Sequence, residues 1–113
     1  MVFIIKYDTF SHNIMIQKED ILDFLREKKT VLFSDYQLLK IGLFGSFARN
    51  EANDDSDIDI IVEFEPETEN LSEKKMLIKN LISNRFDRNV DLCREKYIKP
   101  YFKSQILQSA IYV

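Results

Sequence analysis

One cysteine, Cys93, stands in the 113-residue sequence, so no internal disulfide can form and a disulfide-stapled secreted scaffold is excluded. A lone thiol fits a reducing, cytoplasmic setting. No apolar run is long enough to span a bilayer, and no membrane association is expected. The apolar start, Met1 to Ile5, is cut off by Lys6, Tyr7 and Asp8, too soon for a secretory leader. Basic excess is lacking as well. The 16 Lys and Arg stand against 19 Asp and Glu, a net charge of −3, so direct nucleic-acid binding is not expected. Repeats and low-complexity linkers are missing. Glycine and proline number two each, and that scarcity makes each one informative.

What is present is ordinary globular material: 45% hydrophobic and 31% charged residues, which argues against disorder. The length predicts one domain. Residues 1–16, broken by Ser11, His12 and Asn13, read as an N-terminal extension or edge strand, and 17–113 as the domain proper. His12 lies outside every motif below. From Lys18 to Lys28 the apolar residues Ile21, Leu22, Phe24 and Leu25 have helical spacing, with Glu19 and Asp20 at the start as the helix dipole prefers. Val31 to Phe33 adds a further turn. Leu38 to Phe44 reads as a buried strand ended by Gly45 and Ser46, and Phe47 to Arg49 begins a helix. Asn50 to Ser56 is a polar loop. A second strand runs from Asp57 to Phe64, closed by Glu65 and Pro66. Leu71 to Phe86 is an amphipathic helix, and Asn89 to Cys93 a third strand. Tyr97 to Tyr112 reads as helical after Pro100, with Tyr97, Tyr101, Phe102 and Tyr112 mostly in the core. The first two strands, joined by a loop, pair antiparallel, and the long helix permits a crossover to the third. The expected fold is a small α/β (α+β) unit: a mixed sheet of three or more strands with helices packed on it.

The chemistry centres on Gly45-Ser46-Phe47-Ala48-Arg49 and Ser56-Asp57-Ile58-Asp59. Side chains alternate along a strand, so Asp57 and Asp59 share one face while Ile58 and Ile60 point to the core. Two close carboxylates repel unless a positive charge lies between them. A hard divalent cation such as Mg²⁺ takes carboxylate oxygens and keeps places for phosphate, and two ions can serve nucleophile and leaving group together. Gly45 lets the backbone approach a ligand, helix-start amides suit an anion, and the Ser46 hydroxyl can donate to phosphate. Asp91, between Val90 and Leu92, is costly in an apolar strand unless it has a partner. Beside the second strand it faces the Asp57/Asp59 pair, as third metal ligand and proton acceptor.

The Gly45-Ser46 turn, Arg49, Ser56, the Asp57-x-Asp59 pair and Asp91 together resemble the polymerase-beta-type nucleotidyltransferase superfamily, in particular its minimal nucleotidyltransferase (MNT) group. The likeness runs from about the first helix to the C-terminus. It implies that fold, with two Mg²⁺ on Asp57, Asp59 and Asp91, which are also the catalytic residues. It implies ATP as substrate, held by Gly45, Ser46, Arg49 and Ser56. Many members carry a basic residue and a later glycine around this turn; here Phe47 and Asn50 occupy those places. Only about 20 residues follow the third strand, too few for an acceptor-binding domain. MNT proteins are similar to the antitoxin half of pairs whose toxin is a helical HEPN-type ribonuclease. The resemblance therefore implies transfer of AMP from ATP to a tyrosine hydroxyl of such a toxin, in a homo- or hetero-oligomer.

Blander readings stand beside these. The aspartates fit a solvated strand face, Arg49 a structural ion pair, Ser56 a strand brace, Cys93 a small core residue. The lysines at 74, 75, 79, 96, 99 and 103 fit a wet helix face or phosphate and partner contacts. Two other functions stay open: an antitoxin that neutralises by binding alone, and a transferase for a small, aminoglycoside-like acceptor.

Overall fold

The computed structural model describes residues 16–113. The expected extension or edge strand over 1–16 falls, apart from Ile16, outside the described residues; Ile16 packs against the core. The elements are α1 (Lys18–Glu27), α2 (Lys29–Asp35), β1 (Leu38–Phe44), α3 (Gly45–Ala48), β2 (Ile58–Phe64), α4 (Leu71–Phe86), β3 (Val90–Arg94), a 3₁₀ turn (Glu95–Tyr97), α5 (Pro100–Ser109) and β4 (Ile111–Tyr112). They form a four-stranded sheet in the order β3-β2-β1-β4. The hairpin-like pair β1/β2 is antiparallel, and β2/β3 is parallel through the α4 crossover, as expected for a loop and a helical connection.

One face of the sheet makes the core. Ile41 and Leu43 of β1, with Ile58, Ile60 and Val62 of β2, meet Ile21, Leu22 and Leu25 of α1, Leu32 of α2 and Ile78 and Ile82 of α4. Each of these aliphatic side chains contributes about 1.5–3 kcal/mol on burial. Phe24 and Phe86 join α1 to α4 edge to face, with ring centroids 5.5 Å apart. The start of α1 is fixed by the Asp20 carboxylate accepting from the Gln17 amide at 2.8 Å.

Two expectations are corrected. The C-terminal helix does not run to Tyr112. It ends at Ser109, Ala110 is extended (ψ 140°), and Ile111-Tyr112 form β4 against β1. Gly42 makes this pairing possible, because a Cβ there would lie 2.8 Å from Tyr112 Cδ1 and 2.9 Å from the Ile111 carbonyl oxygen. The C-terminal aromatics are not core residues either. Tyr97, Tyr101, Phe102 and Tyr112 are 68%, 87%, 46% and 37% exposed. The core face is already filled by α1, α2 and α4, and α5 has no buried residue.

Candidate active site

Alternation along β2 puts Asp59, Ile61 and Glu63 on the face opposite the core residues. Asp57 immediately precedes the strand and is exposed; Asp59 is half-buried. The parallel register sets Asp59 opposite Asp91, so the crossover brings the third carboxylate to the pair. Their mutual repulsion bears on Asp59. Burial first, then the charges of Asp91 and Asp57, push its carboxyl up to about 6, and Arg49 acts in the opposite direction. Asp91 itself is exposed, because β3 is an edge strand.

Gly45 ends β1 directly beside this group. Its φ is +76°, the left-handed region that glycine tolerates, and a Cβ there would collide with the Asp59 carboxylate, 2.8 Å from Cγ. The turn that follows is closed by backbone bonds from Arg49 N to Gly45 O (3.1 Å), Asn50 N to Phe47 O (3.2 Å) and Glu51 N to Ser46 O (2.8 Å). Asn50 has φ +60°, so the position where many members have glycine is left-handed here too, and asparagine tolerates it best among residues with side chains. Phe47, where many members have a basic residue, is buried in the core and anchors the turn. Arg49 pairs with Glu51 at 3.0 Å; both are exposed, and the Arg49 charge still reaches Asp59.

Ser56 sits inside the 50–57 loop. Its hydroxyl oxygen accepts from the Asn53 amide at 2.8 Å, which makes it a brace of the loop. Arg88, which sequence reasoning missed, clamps the same loop. Its Nη1 donates to the carbonyl oxygens of Asn53 and Ser56, both at 2.9 Å, and its guanidinium lies 5.4 Å from the Phe47 ring centroid. Nothing in the local pattern around Arg88 signals partners more than 30 residues away. Cys93 was expected in the core. It is half-buried beside the carboxylates instead: burial first, then the charges of Asp59 and Asp91, raise its thiol above the ordinary value.

Further along the same face, Glu63 accepts from Arg94 Nε (3.1 Å) and Nη2 (2.8 Å) and from the Lys96 amide (3.2 Å). Burial pushes the Glu63 carboxyl up, but these bonds outweigh it and hold it below its ordinary value. A cleft of about 740 Å³ opens at this end, lined by Lys40, Glu63, Arg94, Tyr97 and others. It does not include Asp57, Asp59 or Asp91, which lie towards the other end of β2.

Among the described residues, no three Asp, Glu, His or Cys side chains converge closely enough, as they stand, to hold a metal ion. In donor chemistry the group nonetheless fits a hard divalent cation: Asp59 opposite Asp91 on paired strands, Asp57 just before β2, and an Asp59 carboxyl raised by burial first and then by the charges of Asp91 and Asp57. No described helix is long and apolar enough to cross a membrane.

A nucleotidyltransferase domain model matches residues 19–113. The chain is 40% identical over 95 residues to a candidate protein adenylyltransferase of Methanocaldococcus jannaschii, covering 83% of this chain and 95% of that one. It is 33% identical over 101 residues to the protein adenylyltransferase MntA of Thermococcus cleftensis, covering 88% and 98%. A solved structure of a candidate minimal nucleotidyltransferase shares 28% identity and a TM-score of 0.69, covering 87% of this chain and 97% of that one. A solved complex of a tri-AMPylated Shewanella oneidensis HEPN toxin with MNT antitoxin matches in fold, at 22% identity and a TM-score of 0.53, over 80% of this chain and 69% of the matched chain. The left-handed glycine turn against Asp59, the Asp59–Asp91 register and these likenesses lead to one conclusion: the chain belongs to the nucleotidyltransferase domain family, as a nucleotidyltransferase homologous to the MntA protein adenylyltransferases.

Proposed function

We propose that the chain is an antitoxin that moves AMP from ATP to a hydroxyl, a tyrosine side chain, of a HEPN-type toxin in the cytoplasm. The observation that carries this is the gathering of Asp57, Asp59 and Asp91 beside the Gly45 turn. The protein adenylyltransferase relatives support a protein acceptor, and the complex of an AMPylated HEPN toxin with MNT antitoxin supports the kind of partner. Residues 17–113 form the catalytic unit in this reading.

The residues divide the work as follows. Asp57, Asp59 and Asp91 would hold two Mg²⁺ ions, which would neutralise phosphate charge and polarise the acceptor hydroxyl. Gly45 gives the triphosphate close access to the backbone, and the Ser46 hydroxyl donates to a phosphate oxygen. Arg49 offsets negative charge at Asp59 and the phosphates. Ser56 takes the place of a loop brace in the nucleotide site, together with Arg88. The acceptor oxygen attacks the α-phosphorus in line; its bond to phosphorus forms as the bond to the bridging oxygen breaks. Pyrophosphate leaves, and Asp91 takes the hydroxyl proton. The acceleration comes mainly from positioning and charge stabilisation.

Intact-mass spectrometry tests it. The chain is incubated with a HEPN-type toxin, ATP and Mg²⁺, beside an Asp57→Asn/Asp59→Asn control. A gain of one or more AMP units on the partner, absent in the control, is the expected result. A stable complex with no gain for any nucleoside triphosphate overturns transfer and leaves neutralisation by occlusion.

A further inference from the structure

The carboxylates account for the reaction, but nothing described so far brings a protein acceptor to them. The region after β3 has features that folding does not explain. Helix α5 contacts β1 and α3, yet none of its residues is buried. It nevertheless opens with Tyr101 and Phe102, exposed and packed edge to face on each other at 5.0 Å. Tyr97 stands next to them in sequence space, on the 3₁₀ turn, with the Arg94 guanidinium 5.1 Å and the Lys96 ammonium 5.5 Å from its ring centroid. Exposed aromatics such as the Tyr101–Phe102 pair, with Tyr97 four residues before it, are what protein interfaces use as anchors.

The charge of this region departs from the rest of the chain. Residues 96–113 contain Lys96, Lys99 and Lys103 and no acidic residue, a charge of +3 in a chain of net −3, so residues 1–95 carry −6. This stretch is thus apolar and basic on an otherwise acidic molecule; of the carboxylates lining the adjoining cleft, Glu63 and Glu95 are paired with Arg94 and Lys40, and Glu65 and Glu67 stand beside them.

Its position fits an acceptor. The Lys96 amide donates to Glu63, which shares a sheet face with Asp59 four residues earlier on β2. At about 3.3 Å per residue, that is a separation of about 13 Å. An ordinary protein interface covers about 800 Å² per partner, a disc of roughly 16 Å radius. An interface centred near Lys96 and Tyr97 is therefore of the size needed to extend towards Asp59. The cleft beside Tyr97 and Lys103 gives a protruding side chain of that partner a place to enter.

We propose that Tyr97, Tyr101 and Phe102, rimmed by Lys96, Lys99 and Lys103, form the docking surface for the protein acceptor, and that the acceptor meets it with an acidic surface bearing apolar side chains. This rests on the transferase reading for the identity of the occupant, and its test separates the two. Three proteins are compared: the unaltered chain, Tyr101→Ser/Phe102→Ser, and Lys96→Glu/Lys99→Glu. Each is titrated by calorimetry with a HEPN-type toxin and with a fluorescent ATP analogue plus Mg²⁺, and each is assayed for AMP transfer. The altered side chains are exposed, and thermal melting checks that both variants fold. The expected result is at least a tenfold weaker Kd for the HEPN-type protein in both variants, unchanged ATP binding, and transfer that falls at low acceptor concentration and recovers at saturating acceptor. Transfer by the unaltered chain with wild-type Kd in both variants overturns the docking surface and leaves the transferase reading standing. Patch-dependent binding without AMP transfer does the reverse. Loss in the variants of binding to a single-stranded RNA oligonucleotide, with acceptor binding unchanged, also overturns the proposal and assigns the patch to nucleic acid.

Discussion

Gly45 has a backbone conformation and a neighbour that both exclude a side chain. Alanine there must adopt φ near +76° and displace the Asp59 carboxylate. Gly45→Ala is expected to lose about 2–4 kcal/mol of stability, combining left-handed strain with overpacking, and to abolish transfer. Urea unfolding and the mass assay check it; a variant with wild-type stability and activity would show that the turn relaxes freely. At this scale the sequence was legible where chemistry and periodicity coincide. Asp57 and Asp59 stand out because they alternate with Ile58 and Ile60, and Asp91 because it interrupts Val90 and Leu92. Arg88 and Cys93 were not legible. Arg88 acts on two backbone carbonyls distant in sequence, and Cys93 owes its surroundings to strand pairing. Neither leaves a mark in its own neighbourhood.

Among elements, the helices and the three longer strands follow their apolar spacing, while β4 does not announce itself. Ile111-Tyr112 is too short to show alternation, and only a seat at Gly42 converts it to a strand. What secures the far end of the sheet is a pair of ion-paired glutamates. Glu63 is held by Arg94, with the two side chains only 17% and 11% exposed. Glu95 accepts from Lys40 at 2.8 Å and from the Tyr112 hydroxyl at 3.0 Å. The Lys40 bond leads in holding the Glu95 carboxyl low, against its small burial, while burial and then Glu95 push the Tyr112 phenol up to about 12. The sign for Glu63 follows from its lowered value. The unfolded chain binds the proton more readily, so the stabilisation is complete above the unfolded pKa of about 4.3 and is lost as pH falls through the lower folded value. Melting of the native chain is therefore expected to drop faster between about pH 5 and pH 3 than melting of Glu63→Gln. Parallel curves for the two would remove Glu63 as the cause.

For the molecule as a whole, the fold class and the pairing of the three longer strands could be read from the order of elements, since loops make antiparallel neighbours and helices make parallel ones. Which elements are left outside the core could not. The C-terminal aromatics looked like core residues because the sequence does not say that α1, α2 and α4 have already filled the core face. The site also bears on overall stability. Repulsion at Asp59 works against the folded state when no cation is bound. Mg²⁺ at about five times its Kd is expected to stabilise the native chain by about 1 kcal/mol. Asp59→Asn should melt higher than the native chain in chelator and respond little to added Mg²⁺. An equal Mg²⁺ response in both would place the ion elsewhere.

The register that sets Asp91 opposite Asp59 closes a loop of 32 residues. Every contact between the two strands must wait for α4 to form and fold back, whereas the β1/β2 pair needs only a short loop. A nascent chain can thus assemble its hairpin and its glycine turn early and still carry an incomplete set of carboxylates. Competence to react is acquired together with a strand pairing that spans a whole helix, so a partly folded copy can hold its shape at one end and remain inert.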